Sequence, residues 1–241
     1  TYLRNNGIKT YLSVIPDKNV FIASPNGYPD KDYKALAERL INGFPEARYI
    51  DISGLLSADD FYYTDSHWRQ EKIMTVADEI ADKMGAERIG QCEKHDAGVS
   101  FYGVYYGQAA LPHAPERLFY LDNAVIRGLK VYNVETSSDI PVYDLGAAAG
   151  RDPYEMFIGG ARSIIRITNP NAEKERRLIV FRDSFGSSIA PLLTAGYSEI
   201  TLVDIRYIAP SALGRLIDFT KADDALFLYS ASVINNSETI K

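Results

Sequence analysis

The sequence predicts an α/β fold in which a parallel sheet is interrupted by a β-rich insertion. Short apolar runs of strand type alternate with helical patterns toward both ends of the chain, the rhythm of parallel βαβ units. From about Gly98 to Tyr143 that rhythm gives way to short aromatic and β-branched runs separated by Gly, Pro and Asn, which reads as antiparallel strands. At 241 residues, 46% of them hydrophobic, the chain can fill one large core. The expectation is a single domain over residues 1–241 with an insertion at about 98–145.

The opening TYLRNNGIKTYLSVIPDKN reads as the tail of a helix running into a strand at Lys9 to Pro16. KDYKALAERLING, Lys31 to Gly43, has the period of an amphipathic helix and a glycine stop, and ARYIDI, Ala47 to Ile52, is a second strand. A helix is predicted from Arg69 to about Met84, because Ile73, Val76, Ala77, Ile80 and Met84 share one face and Gly85 stands at the C-cap. In the middle, VSFYGVYYG, RLFYLDN, LKVYNV and IPVYDL are strand candidates. The βα rhythm resumes with strands in SIIRITNP and RRLIVF, a helix in SFGSSIAPLLTAG, the strand EITLVDI, the helix PSALGRLIDF and the strand ALFLYS. No internal repeat or low-complexity tract occurs.

A formal net charge of -6 without a basic cluster argues against a nucleic-acid-binding surface. Cys92 is the only cysteine, which excludes an intramolecular disulfide and leaves little basis for a thiolate metal site. No run reaches the roughly 18 apolar residues of a membrane span, and no signal peptide opens the chain. An opening of this kind also suits a piece of a longer precursor. The 17 tyrosines concentrate in FYGVYYGQ and around Tyr62. Exposed, they would stack on sugar rings; otherwise they are core and strand packing.

Two polar segments stand out. YYTDSHWRQEKI, Tyr62 to Ile73, holds one of the 3 histidines and the only tryptophan. Thr64, Asp65 and Ser66 are all good N-cap residues for the helix expected from Arg69, which accounts for the polar run but not for His67 or Trp68. A carboxylate two residues before a histidine can, in a tight turn, accept the imidazole Nδ1–H and fix the tautomer that leaves Nε2 free as a base. The same pair could ligate a metal, but no cluster with ligand spacing supports one, and His95 and His113 are expected at the surface. RRLIVFRDSFGSSIAPLL, Arg176 to Leu193, reads as a buried strand, a sharp polar turn and a helix. Ligands of open parallel sheets bind at the carboxyl ends of the strands, where Ser184 falls. Its Oγ would be exposed there, with backbone N–H groups near Phe185 and Gly186 aimed at a developing oxyanion and Gly186 permitting close approach. Alternatively, Asp183 or Ser184 simply caps the helix. No G-x-x-x-x-G-K-[ST] phosphate loop is present.

YYTDSHW followed some 120 residues later by RDSFGSS resembles the DHHW family of bacterial cell-envelope proteins and, more distantly, the SGNH-hydrolase-like proteins of alginate O-acetylation, AlgX and AlgJ. YLSVIPDKN, SFYGVYYGQ, YEMFIGGARSIIRI and PLLTAGYSEITLVDIRYI resemble further segments of these families in the same order. The resemblance implies a three-layer, flavodoxin-like SGNH/GDSL-hydrolase fold. It also implies a triad, with Ser184 as nucleophile, His67 as general base and Asp65 orienting the imidazole. No metal or organic cofactor is implied, and the expected location is extracytoplasmic, with a signal or anchor outside this stretch. Two positions depart from the family pattern: Ser66 stands at the first histidine of D-H-H-W, and Ala161 where Asn follows the Gly-Gly pair. The oxyanion hole would then need another donor, for which Gly160 N–H and Asn235 or Asn236 are candidates. Trp68 and Arg206 complete the candidates. Arg206, at the end of EITLVDI, would hold an anionic or carbonyl group of the substrate or else pair with Asp204 or Asp183.

Two functions of different class fit. One is a serine-dependent O-acetyltransferase or acetylesterase acting on an envelope or secreted polysaccharide through an acyl-serine. Its partners would be that glycan and a membrane-bound acyl-donor protein, with no nucleic acid involved. The other is a catalytically inactive SGNH-like protein that binds glycan or a partner, for which Ala161 and the tyrosine-rich insertion speak. A lipid or peptide esterase is a third outcome of the same triad.

Overall fold

The computed structural model describes residues 2–110 and 112–236. In chain order the strands among them are β1 (Lys9–Ile15), β2 (Arg48–Tyr49), β3 (Glu93–Phe101), β4 (Glu116–Asp122), β5 (Lys130–Asn133), β6 (Ser138–Ile140), β7 (Ile164–Thr168), β8 (Arg177–Arg182), β9 (Glu199–Val203) and β10 (Asp224–Ser230). One 8-stranded sheet runs β2-β1-β10-β8-β9-β7-β5-β6, and β3 and β4 pair antiparallel in a second. From β2 through β9 neighbouring strands are parallel; β7, β5 and β6 add on antiparallel. The β-rich stretch therefore divides. Its hairpin β3–β4 stands apart, while β5 and β6 extend the main sheet through β7. The apolar run of β7 reads the same in either direction, so its pattern predicts a strand without fixing its sense.

Central parallel strands are covered on both faces, and their sequences are correspondingly near-continuous apolar runs. Their side chains alternate between two cores. Leu178, Val180, Ile200, Leu202, Leu226 and Leu228 pack with Val76, Ile80 and Met84 of the helix Met74–Met84. Ile179, Phe181, Val203, Ala225 and Tyr229 pack on the other side with Leu213, Ile217 and Phe219. Each large apolar side chain so withdrawn from water contributes roughly 1.5–3 kcal/mol, which is why neither face can be left bare. A third cluster, including Tyr62, Phe101, Leu118, Tyr154 and Phe157, joins β3 and β4 to the rest.

Helix ends follow their signals where the signals are local. Asp32 caps the helix Tyr33–Gly43 by accepting the Ala35 N–H at 2.9 Å, and Gly85 closes Met74–Met84 in the left-handed conformation. The strand in ARYIDI shrinks to Arg48–Tyr49 and the helix in PSALGRLIDF to Pro210–Leu213. Past Ile189 the helix after Ser184 tightens to 3-10 over Ala190–Gly196, where Pro191 cannot donate.

Two expectations are corrected. Met74–Met84 begins later than expected, after a 3-10 turn at Gln70–Lys72, and Trp68 bridges to Phe61 as a strand would. Thr64, Asp65 and Ser66 therefore do not cap it; the side chains of Thr64 and Asp65 bond instead to Glu116, His67 and Val104. FYGVYYG does not continue β3 either, since the strand stops at Phe101 and Val104–Ala109 is helical. Gly103 explains the break. A Cβ there would lie 2.3 Å from both the Asp65 Cβ and the Thr64 carbonyl oxygen, so the chain turns tightly against residues 64–65.

Candidate active site

β1, β8, β9 and β10 end on the same edge of the sheet, and the site is built there. β8 stops at Arg182, and Asp183 and Ser184 turn the chain into the helix Phe185–Ile189. Asp183 fixes that turn: Oδ1 accepts the Phe185 N–H at 3.0 Å and Oδ2 accepts the Ser230 N–H, at the end of β10, at 2.7 Å. The capping role weighed for Asp183 or Ser184 thus falls to Asp183, and Ser184 makes no side-chain cap bond. Its hydroxyl meets His67 Nε2 at 2.7 Å. Gly186 is required from beneath, because a Cβ there would sit 2.5 Å from the Cβ of buried Arg182.

In the opposing loop Asp65 folds back on itself. Oδ1 accepts the His67 main-chain N–H at 2.9 Å and lies 2.5 Å from ring Nδ1, while Oδ2 accepts the Val104 N–H at 2.9 Å. With Nδ1–H donated to the carboxylate, Nε2 is the accepting nitrogen toward Ser184. The imidazole lies flat on Tyr154, ring centroids 4.0 Å apart and 15° from parallel, with Phe185 at 4.9 Å on its flank. Burial works against the Asp65 charge. The hydrogen bond and charge of His67 and the N–H groups of His67 and Val104 outweigh it, so the carboxyl is held below its usual pKa of 3.8.

Four residues that sequence reasoning missed hold the loop in place. The Lys18 ammonium, just past β1, donates to the carbonyls of Tyr62 (2.6 Å), Tyr63 (3.1 Å) and Asp65 (3.0 Å), which uses all of its protons. Burial lowers its pKa, and the carboxylates of Glu116 and Asp65 oppose that shift. Glu116 accepts the N–H of Tyr63 (2.8 Å) and both the N–H and hydroxyl of Thr64 (2.7 Å each). Ser188 joins the two halves. Its Oγ accepts from Trp68 Nε1 (2.8 Å) and the Tyr154 hydroxyl (2.7 Å) and donates to the Phe185 carbonyl (3.2 Å). Gln70 Nε2 also donates to the Ser188 carbonyl at 2.6 Å. Of these four only Ser188 had a sequence signal: four residues after Ser184, it shares that helix face as Trp68 follows His67.

The remaining sequence candidates take other roles. Trp68 is fully buried, so it supports the loop and does not meet substrate. Arg206 makes a two-pronged ion pair with Asp204, Nε to Oδ1 at 2.9 Å and Nη2 to Oδ2 at 2.7 Å, which is the alternative given for it above. The Gly186 N–H donates to the Asp183 carbonyl at 3.0 Å and the Gly160 N–H to the Phe157 carbonyl at 3.1 Å. Both expected oxyanion donors therefore already have acceptors, because each closes a turn. Gly160 is glycine for its own turn, with φ +66 and Glu155 where a Cβ would go. Asn235 is exposed on the last turn of Ala231–Asn235, and neither Ser184 nor His67 bonds to it. His113 is exposed, whereas His95 is half-buried and stacks on Tyr120. Among the described residues no group of three or more His, Cys, Asp or Glu is placed to hold a metal ion, and no helix is long and apolar enough to cross a membrane.

A family model described as DHHW protein matches residues 56–203. A DHHW family protein from Eubacterium siraeum is similar in structure at 18% identity, over 99% of this chain and 84% of that chain, with a TM-score of 0.70. Bacillus cereus PatB1, solved with a sulfonyl adduct, is similar at 19% identity over 97% and 84%, TM-score 0.72. The O-acetyltransferase domain of Pseudomonas putida AlgJ is similar at 12% identity over 96% and 78%, TM-score 0.53. Among curated proteins no sequence matches. The likeness in structure is one of architecture, an SGNH-like α/β fold. The family match takes in both the DSHW and the RDSFG segments and more than half of the sequence, and the chain belongs to the DHHW family.

Proposed function

We propose that the protein is a serine-dependent acyl-group enzyme, an O-acetyltransferase or acetylesterase that modifies a cell-envelope or secreted polysaccharide outside the cytoplasm. The carrying observation is the unbroken hydrogen-bonded path from Asp65 through both ring nitrogens of His67 to Ser184 Oγ, 2.5 Å and 2.7 Å. A helix cap or a surface histidine needs no such path. The likeness to the O-acetyltransferase domain of AlgJ, and to PatB1 with its sulfonyl adduct, supports acyl transfer.

In this mechanism Ser184 Oγ attacks the acyl carbonyl carbon as its proton passes to His67 Nε2. The tetrahedral adduct collapses, the bond to the donor's alcohol oxygen breaks, and that alcohol leaves with the proton from Nε2. A sugar hydroxyl or water then discharges the acyl-serine by the same steps in reverse. Asp65 stays ionised and faces the imidazolium between the two transfers. Because the N–H groups of Phe185, Gly186 and Gly160 already have acceptors, the oxyanion is assigned to the Ser184 N–H at the head of the helix. The reading involves a glycan acceptor and a membrane-bound acyl-donor protein, and no cofactor.

Incubation with p-nitrophenyl acetate or a sulfonyl fluoride, followed by peptide mass spectrometry, is expected to place an adduct on Ser184 that Ser184→Ala lacks. No adduct there with several donors refutes the reading. A second reading, an inactive glycan-binding protein, is favoured by the committed N–H groups of Gly186 and Gly160. It is selected if the parent shows no turnover and glycan binding is unchanged in Ser184→Ala.

A further inference from the structure

A cleft of about 910 Å³ opens beside the Tyr63–Thr64 backbone, and neither Ser184 nor His67 lines it. Its size lies toward the upper end of the ~300–1,000 Å³ usual for small-molecule sites, enough for more than one sugar ring. The walls are aromatic. Tyr63, 71% exposed, stacks on His113 with centroids 4.7 Å apart, and Tyr105 and Tyr106 project from the helix Val104–Ala109. Grouped, solvent-facing rings of this kind mark a binding surface.

The charges in the cleft largely answer one another. Lys18 is committed to three carbonyls and Glu116 to three donors of the Tyr63–Thr64 backbone and hydroxyl. Arg69 is ion-paired with the buried side chain of Glu71 at 2.9 Å. Lys72 and Asp59, both exposed, remain as one charge of each sign. A ligand that suits these walls has apolar faces to lie on aromatic rings, hydroxyls around its rim to bond phenol oxygens and single charges, and no net charge of its own. A neutral pyranose has that combination.

We propose that this cleft binds an uncharged stretch of glycan chain, seated on Tyr63, Tyr106 and His113, while Ser184 acts on a neighbouring sugar of the same chain. The inference rests on the polysaccharide reading given above. Thr64 links the two places, because it lines the cleft and directly precedes Asp65. Binding away from the reacting acyl group is a standard means of drawing on remote contacts to position the reacting centre.

The test uses Ser184→Ala protein and two probes, neutral tetra-N-acetylchitotetraose and an acidic oligomannuronate, with affinity read by calorimetry. The neutral probe is expected to bind, with Tyr63→Ala and Tyr106→Ala each weakening it about tenfold or more, and Tyr63→Phe retaining most of the affinity. Labelling of Ser184 by the sulfonyl fluoride is read in parallel on the parent protein. Binding unaffected by both alanine variants, binding of the acidic probe only, or no binding of either probe overturns the proposal. Absence of any Ser184 adduct with cleft binding intact overturns the enzymatic reading instead, so the two failures are distinct.

Discussion

Replacing Lys18 by methionine tests whether the loop carrying Asp65 and His67 is held from outside. Methionine keeps much of the stem and removes the charge. The three carbonyls that lose a partner are those of Tyr62, Tyr63 and Asp65. A hydrogen bond from a charged donor is worth roughly 1.5–3 kcal/mol, so three give an upper bound of about 4.5–9 kcal/mol. Two effects reduce this: burying the ammonium already has a cost, reflected in its lowered pKa, and the exposed carbonyl side of Tyr63 can take water. The expected net loss is about 2–4 kcal/mol in urea unfolding. A shift of the loop by ~1 Å would lower kcat with p-nitrophenyl acetate by about 10²-fold, with KM changed far less. Lys18→Arg should recover only part of either quantity, because a planar guanidinium cannot converge on three carbonyls as an ammonium does. A Lys18→Met protein within ~0.5 kcal/mol of the parent and with unchanged kcat would refute the reasoning.

Asp65→Asn should keep the fold and lower kcat by about 10³–10⁴-fold, because the amide no longer fixes the Nδ1–H tautomer; pre-steady-state acylation checks this. The Asp65 carboxyl has a folded-state pKa below 3.8, so its contribution to stability is complete above that pH and is lost as pH falls through the folded value. Urea titrations from pH 5 downward should therefore show a steeper loss in the parent than in Asp65→Asn, and parallel curves would count against the assignment. Ser188→Ala leaves the Trp68 Nε1–H and the Tyr154 hydroxyl without their acceptor in a dry core, for an expected loss of about 2–4 kcal/mol in thermal or urea unfolding. Gly103→Ala places a methyl 2.3 Å from the Asp65 Cβ and the Thr64 carbonyl oxygen, so kcat should fall at least about tenfold. Unchanged kinetics in that variant would mean that the helix Val104–Ala109 does not brace the site.

What was legible in the sequence is what local pattern encodes. The two-faced burial of β8, β9 and β10 shows directly as runs such as RRLIVF and EITLV, and the polar turns at their carboxyl ends show as RDSFG. The D-x-H spacing likewise needs only a two-residue turn, and the structure has one. What was not legible depends on distant partners. Thr64 to Ser66 have cap chemistry, but Glu116, 52 residues on, takes the Thr64 hydroxyl. Val104 to Tyr106 have strand propensity, but Gly103 pressed on Asp65 turns them into a helix. Lys18 is an ordinary lysine after a strand until the fold brings three carbonyls around it. The antiparallel sense of β7 and the committed N–H of Gly160 are also set by neighbours that no window of sequence contains.

The position of β10 bears on how the protein is made. It lies between β1 and β8, although more than 200 residues separate the end of β1 from its start. Until Asp224 to Ser230 leave the ribosome, β1 has only the two residue pairs of β2 beside it, and Asp183 lacks the Ser230 N–H that fixes the Ser184 turn. Pairing across such a separation is slow, and until it happens the apolar edges of β1 and β8 lack their partner. The Ser184 turn is therefore completed only when β10 has paired between β1 and β8, so the serine site depends on the most sequence-distant pairing in the sheet.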